Sequence, residues 1–294
     1  MTYRIGVAGL ADGRSSLGLV RAFHRRGHEA FVFEAEEVTI DLERSVVAAQ
    51  DRRLDELDAV VVKKLGDNTD PRVPLRVNML HALQSYGVRV FSDPSAIAHV
   101  NDRYRMTTTL ALAGVPIPPT VVTDALEEAA DTIERWGAAV LKPVYTSKAR
   151  GMHLLRAQQP YRLVLRDWEA ERTGPYYIQR FVPHAGRDLG IAVLGGRALG
   201  AYYRVGRPGD WRTSVQRGGH YERADPAPDI VALAERVASI FGLDFTVVDV
   251  VETDAGPLVY EASAFGGFGG LAAACNIDAA DAYAEHVVRE LKRG

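Results

Sequence analysis

Two short apolar runs around a turn, residues 245–263 (FTVVDVVETDAGPLVYEAS), constrain this chain more than any other stretch. β-Branched and aromatic residues flank Asp254, Ala255 and Gly256, the pattern of an antiparallel hairpin. With the turn centred on Ala255, Asp249 faces Glu261 across the ladder, and Ser263 follows two residues on along the same face. Two carboxylates held opposite one another in a cleft repel by several kcal/mol at an effective dielectric of about 20. The fold must therefore send one of them to solvent, pair it with an arginine, or give both a divalent cation. An all-oxygen set of Asp249, Glu261 and Ser263, with no histidine or thiolate, suits Mg2+ or Mn2+ rather than Zn2+. Spacing alone leaves these alternatives open.

The rest of the chain supplies an α/β setting for that hairpin. Residues 3–10 form a buried strand, followed by a loop with Gly9 and Gly13, a helix starting near Ser15 or Ser16, and a strand near residues 30–33. Strands at 58–63 and 88–91 and a helix at 76–86 extend this βαβ start into a small doubly wound domain over residues 1–95. Residues 94–112 form one or two helices. The three prolines of GVPIPPT, residues 114–120, then forbid helix and central strand alike. A second α/β unit follows, with helices at 127–135 and 162–172 and strands at 138–143 and 176–182. Residues 189–203 form a hairpin around Gly195 and Gly196, and residues 229–241 a helix capped by Asp229. The expected organisation is three units, 1–95, 96–178 and 179–294.

A chain of 294 residues with a formal net charge of -3 has no general basic field, which argues against nucleic acid as a partner. Its single cysteine, Cys275, excludes an internal disulfide and a multi-thiolate metal site, fits a reducing compartment, and otherwise suits a small buried apolar residue. No apolar run approaches the ~18 residues of a membrane span, and the first residues lack a signal-peptide pattern, so a cytoplasmic protein is expected.

Cations are concentrated in three places. Lys142 lies in AAVLKPVY, on one strand face with Val140, a position that calls for an anion. The next segment, residues 145–152 (YTSKARGM), offers Thr146, Ser147, Lys148, Arg150 and Gly151, a set able to cover a polyphosphate with hydroxyls, amides and charge. Its plainer reading is a solvated basic turn. Arg204, Arg207, Arg212 and Arg217 share residues 204–221 with Gly206, Gly209, Gly218 and Gly219. Their planar guanidinium forks suit phosphate or carboxylate, unless the segment is simply a surface loop.

In this order, the motifs resemble those of RimK-like ATP-grasp carboxylate-amine ligases over almost the whole length. The resemblance implies an ATP-grasp fold behind an amino-terminal pre-ATP-grasp domain. NDRYRM (101–106) is similar to the helix carrying the first ATP-binding cation, here Arg103, and LKP (141–143) to the strand carrying the second, Lys142. The phosphate loop then contributes Thr146, Ser147, Lys148, Arg150 and Gly151. YYIQRFV (176–182) resembles the adenine hinge, with Gln179 and the backbone of Arg180, Phe181 and Val182. Asp188 stands at the ribose position. GDWRTSVQRGG (209–219) resembles the arginine-bearing loop beside the phosphates, which implies catalytic roles for Arg212 and Arg204 and substrate contacts for Arg217, Gly218 and Gly219. Asp249, Glu261 and Ser263 fall on the metal-ligand positions. The chain departs from the family with Arg103 for lysine, Arg180 for an acid, Ser263 for asparagine, and a phosphate loop nearly free of glycine. TSKARGM, VETDAGPLVYEASAFGGFGGL and ACNID further resemble the GAK-operon branch.

What the resemblance implies is an ATP-dependent ligase using Mg2+ (or Mn2+). It would activate a carboxylate as an acyl phosphate, release ADP and form an amide or peptide bond with an amine on an amino acid, peptide or protein tail. It implies small-molecule or peptide substrates and a homo-oligomer, with no nucleic-acid or membrane partner. Residues 263–271 (SAFGGFGGL) either shape the acceptor pocket, with Phe265 or Phe268, or form a glycine-rich turn with two core aromatics. Two other functions fit less well. A catalytically inactive ATP-binding regulator would explain the departures. A nicotinamide-dependent oxidoreductase would need G-x-G-x-x-G, and Gly9, Gly13 and Gly18 are spaced differently.

Overall fold

Strands that are apolar along their whole length must be covered on both faces, and the first sheet shows this. The computed structural model describes residues 1–67, 69–146, 149–171 and 174–293. From the amino terminus the elements are β1 (Arg4–Ala8), α1 (Arg14–Arg25), β2 (Glu29–Phe33), β3 (Val38–Asp41), β4 (Val46–Ala49), β5 (Arg52–Arg53), β6 (Ala59–Val62), α2 (Val73–Ser85) and β7 (Arg89–Phe91). β2, β1, β6 and β7 pair in parallel in that order. Ile5, Val7, Ala59 and Val61 share one core with Leu19 and Phe23 of α1, while Val60 and Val62 join Leu80 and Leu83 of α2 in another. A three-stranded antiparallel sheet, β3-β4-β5, is absent from the sequence expectation. Its strands are two to four residues long and partly polar, too short for a period-two signal.

Residues 94–112 form two helices, α3 (Pro94–Asn101) and α4 (Arg103–Leu112). Asp102 separates them, and its side chain accepts from the Arg105 amide as the N-cap of α4. After the prolines come β8 (Thr120–Thr123), α5 (Leu126–Trp136), β9 (Ala138–Lys142), β10 (His153–Arg156), α6 (Tyr161–Ala170) and β11 (Tyr176–Arg180). They form an antiparallel sheet in the order β10-β9-β11-β8, with α5 and α6 burying Ile133, Leu165 and Trp168 against it. β8 and β10 were not anticipated. Each has four residues, and β8 starts directly after Pro119, where the proline run masks the onset of pairing.

The third sheet contains β12 (Arg187–Leu194), β13 (Arg197–Val205), β14 (His220–Arg223), β15 (Phe245–Thr253) and β16 (Gly256–Ala262), with α7 (Pro228–Phe241) between β14 and β15. Its order is β14-β13-β12-β15-β16. Gly195 and Gly196 turn the first hairpin with φ of 56° and 79°, the left-handed pair that such a tight turn requires. Asp229 is not the cap of α7. Ala227 holds that position with Pro228 starting the helix, and Asp229 sits in the first turn, where its charge still suits the dipole. The last helix, α8 (Ala279–Arg293), returns to the amino-terminal sheet and packs on α1, placing Tyr283 and Val287 in the core of Ile5 and Phe23. Among the described residues no helix is long and apolar enough to cross a membrane.

Candidate functional site

A cleft of about 730 Å³ lies where the three larger sheets converge. Its floor is the β15–β16 hairpin, where Asp249 and Glu261 face each other in register. They meet by a different route from the one the spacing implies. Thr253 pairs with Gly256, so the turn contains only Asp254 and Ala255, and the ladder runs on to Val250 opposite Val259. A bulge then inserts Tyr260 before Glu261 and restores the carboxylate pair. Tyr260 thus joins the cleft wall, 5.4 Å from the Lys142 ammonium at its ring centroid, a position no alternation rule supplies.

Arginines answer the carboxylates. Arg204 on β13 is directly opposite Asp188 on β12, and Gly190 two residues on is opposite Asp249. The Arg204 guanidinium bonds both Asp188 oxygens and lies 2.8 Å from Asp249 Oδ2. Burial works against the Arg204 charge, yet Asp249 and Asp188 hold it well above its ordinary range. Burial likewise pushes the Asp249 carboxyl up to about 7; Glu261 and Asp188 add to the rise, and Arg204 opposes it. Glu261 has its own partner, Arg103 at 3.3 Å. The same guanidinium donates to Pro143 O and to Thr146 O at 3.1 Å, so Arg103 ties Glu261 to the start of the phosphate loop.

Lys142 ends β9 with its Nζ donating to Gln179 Oε1 at 2.5 Å; Gln179 in turn donates to Thr120 Oγ1 at 3.1 Å. Burial and the nearby Arg103 push the ammonium down to about 7, with Glu261 and Asp249 acting against the fall. In the hinge, the Arg180 and Phe181 amides are bonded to Pro119 O and Ala138 O, which leaves the Val182 amide as a hinge donor among the described residues. Two polar atoms bordering the cleft, Asn101 Nδ2 and Thr146 Oγ1, are buried without a partner among the described residues. Buried donors are rarely left so, and these two suit a ligand's acceptors. The sequence carries no signal for Asn101, since nothing in its local pattern separates it from a helix-end asparagine.

The loop expected to cover phosphate is only partly described, since Ser147 and Lys148 lie outside the described residues. Arg150 reaches across to the amino-terminal unit and forks onto Asp67 at 2.9 and 3.2 Å. Gly151 has φ of 65° and packs against Pro143. In the arginine loop, Arg212 lines the cleft and is oriented by Asp210 at 3.0 Å. Arg217 pairs with Oδ2 of the same Asp210 at 3.6 Å, and Arg217, Gly218 and Gly219 are not among the cleft-lining residues. Backbone geometry accounts for the two glycines: Gly218 has φ of 88°, and a Cβ at Gly219 would lie 2.4 Å from Val205 O. Ser263 lines the cleft, but its Oγ accepts the Gly266 amide at 3.1 Å. Phe268 is a core residue while Phe265 lines the cleft, so SAFGGFGGL gives one aromatic to the core and one to the cleft wall.

Among the described residues no group of three or more His, Cys, Asp or Glu side chains is gathered as a metal cage. Two facing carboxylates fit a Mg2+ that takes one or two protein oxygens and completes its shell from phosphates and water. They do not fit a self-sufficient protein site.

A model of the RimK-like ATP-grasp domain matches residues 100–287. The tetrahydromethanopterin:alpha-L-glutamate ligase of Methanosarcina acetivorans is 31% identical over 268 residues, covering 85% of this chain and 82% of that protein. Among solved structures, the RimK domain protein ATP-grasp from Sphaerobacter thermophilus superposes with a TM-score of 0.74 at 24% identity, over 97% of this chain and 99% of that one. The ATP-grasp ligase PsnB, solved with a phosphomimetic variant of its minimal precursor, Mg and ADP, gives a TM-score of 0.75 at 19% identity over 99% of both chains. With the matched domain spanning most of the chain and the relatives named as ligases, this chain belongs to the RimK-like ATP-grasp family and is an ADP-forming carboxylate-amine ligase.

Proposed function

We propose that the cleft joins a small-molecule or peptide carboxylate to an amine through an acyl phosphate, with Mg-ATP as the phosphoryl donor. The observation that carries this reading is the facing pair Asp249 and Glu261, held by Arg204 and Arg103 beside Lys142. Cations and carboxylates alternate there, as a polyphosphate and its counterion demand. Asp249 and Glu261 would hold Mg2+, which when bound neutralises phosphate charge. Lys142 and Arg212 both line the cleft and would hold the transferring phosphoryl group, while Arg204 opposes the rise that burial imposes on the Asp249 carboxyl. One oxygen of the substrate carboxylate attacks the γ-phosphorus and ADP leaves with the bridging oxygen. The amine then attacks the acyl carbon, inorganic phosphate departs with the C–O electron pair, and the amine proton passes to solvent. No covalent bond to the protein is needed; positioning and charge supply the catalysis.

The glutamate ligases among the relatives make L-glutamate the first reactant to try. Glu261→Ala is expected to abolish ADP formation while leaving the far-ultraviolet circular dichroism spectrum unchanged. Wild-type turnover in that variant sinks the assignment.

A further inference from the structure

One wall of the cleft comes from the amino-terminal unit, apart from the residues proposed above for nucleotide and metal. Its parallel strands run in the order β2-β1-β6-β7, so the chain leaves β1 to one side and comes back through β6 on the other. Such a reversal opens a crevice at the carboxyl ends of the two strands, the place where open α/β sheets hold ligands. Here the crevice is bounded by the loop 9–13 with the start of α1, and by Lys63 and Lys64.

α1 begins at Arg14 after Gly13, with no side-chain cap and no acid in its first turn. The loop's own bonds take the amides of Gly9, Ala11 and Gly13, to Phe33 O, Glu34 Oε1 and Leu10 O. The amides of Arg14, Ser15 and Ser16 are those that a helix leaves without internal acceptors. A second observation is independent of the helix end. Ser16 is only 3% exposed, lines the cleft, and its hydroxyl has no hydrogen-bond partner among the described residues. That hydroxyl lies over the glycine loop: a Cβ would stand 2.2 Å from it at Gly9 and 3.1 Å at Gly13. Arg14 makes no ion pair among the described residues, and Asp12 is the acid on this lip. Lys63 lies deeper, donating to Phe265 O at 2.5 Å and Gly266 O at 2.6 Å, and so joins this wall to the segment that follows the metal strand.

We propose that this crevice holds a carboxylate that the ligation does not consume, so that one reactant is a dicarboxylate or an amino acid with a free carboxyl group. The inference rests on the ligase reading and concerns the reactant rather than the nucleotide. The Ser16 hydroxyl and the first-turn amides donate to the anion, the helix dipole favours its charge, and Arg14 closes over it from the rim.

The test is isothermal titration of L-glutamate, glutarate and inorganic phosphate into protein saturated with Mg-ADP. L-Glutamate or glutarate is expected to bind saturably, with affinity lowered about fivefold by Ser16→Ala and about tenfold by Arg14→Ala. Both variants should bind Mg-ADP within about twofold of wild type, which shows that they are folded. If the wild type binds Mg-ADP but neither carboxylate, the cradle is wrong and the nucleotide site stands. Carboxylate binding that both variants leave unchanged overturns the cradle as well. Phosphate binding lost in Ser16→Ala, without carboxylate binding, reassigns the crevice to inorganic phosphate and overturns the proposal. A wild type that does not bind Mg-ADP removes the ligase reading and this inference with it.

Discussion

Arg204 and Asp249, on strands separated by β12, meet at 2.8 Å inside the cleft, and the same guanidinium also bonds Asp188. Two buried carboxylates therefore depend on one side chain. Arg204→Ala strands two carboxylates, and breaking a buried pair from one side costs about 3–5 kcal/mol. A lower midpoint of urea unfolding is expected, together with loss of ADP formation. An unfolding midpoint equal to wild type would show that the pair is solvated.

Lys142 and Gln179 meet where β9 ends beside β11, the place proposed for the nucleotide. A ligand at ~100 times its dissociation constant adds roughly 2.7 kcal/mol to stability. Mg-ADP should raise the wild-type thermal midpoint accordingly, while Lys142→Met should need a much higher concentration for the same rise. NADH should move neither, and a rise with NADH alone would move the search to the amino-terminal βαβ unit.

Two arginines on one loop should behave differently. Arg212 lines the cleft and Arg217 does not, although both contact Asp210. Arg212→Ala is expected to reduce kcat by about a hundredfold, the order seen when one transition-state donor is removed. Arg217→Ala should stay within about twofold, since its ion pair is exposed. Equal losses in steady-state assays would place the whole loop against the substrate.

The α1–α8 contact has an acid-sensitive tie. Asp281 bonds Arg26 and Arg25, and those arginines hold its carboxyl down at about 2. A depressed folded-state pKa contributes stability that is complete above the unfolded value near 4 and is lost as pH falls through about 2. Both partners are partly exposed, so the gain is below about 1 kcal/mol. Asp281→Asn should be less stable than wild type in urea at pH 6, and the difference should shrink as pH falls from about 4 towards 2. A gap independent of pH would mean that the contact is not ionic.

Local spacing determined what local physics controls. Alternation around a turn marked the hairpin that carries Asp249 and Glu261, the prolines at residues 114–120 ended the helical region, and Gly195 with Gly196 set a hairpin. Motif order carried the family. Contacts made at long range were decided by tertiary packing. The inserted Tyr260 is invisible to a period-two pattern because a bulge changes register without changing composition. Arg103 stands at a position expected to serve phosphate, yet its donors meet Glu261 and two carbonyls, a choice set by where α4 docks on β16. Arg217, Gly218 and Gly219 were drawn to the substrate by charge and motif, whereas the fold of their loop leaves them out of the cleft lining. The return of α8 to α1 joins segments more than 250 residues apart, and the partner that an amphipathic helix buries against is not written in its own periodicity.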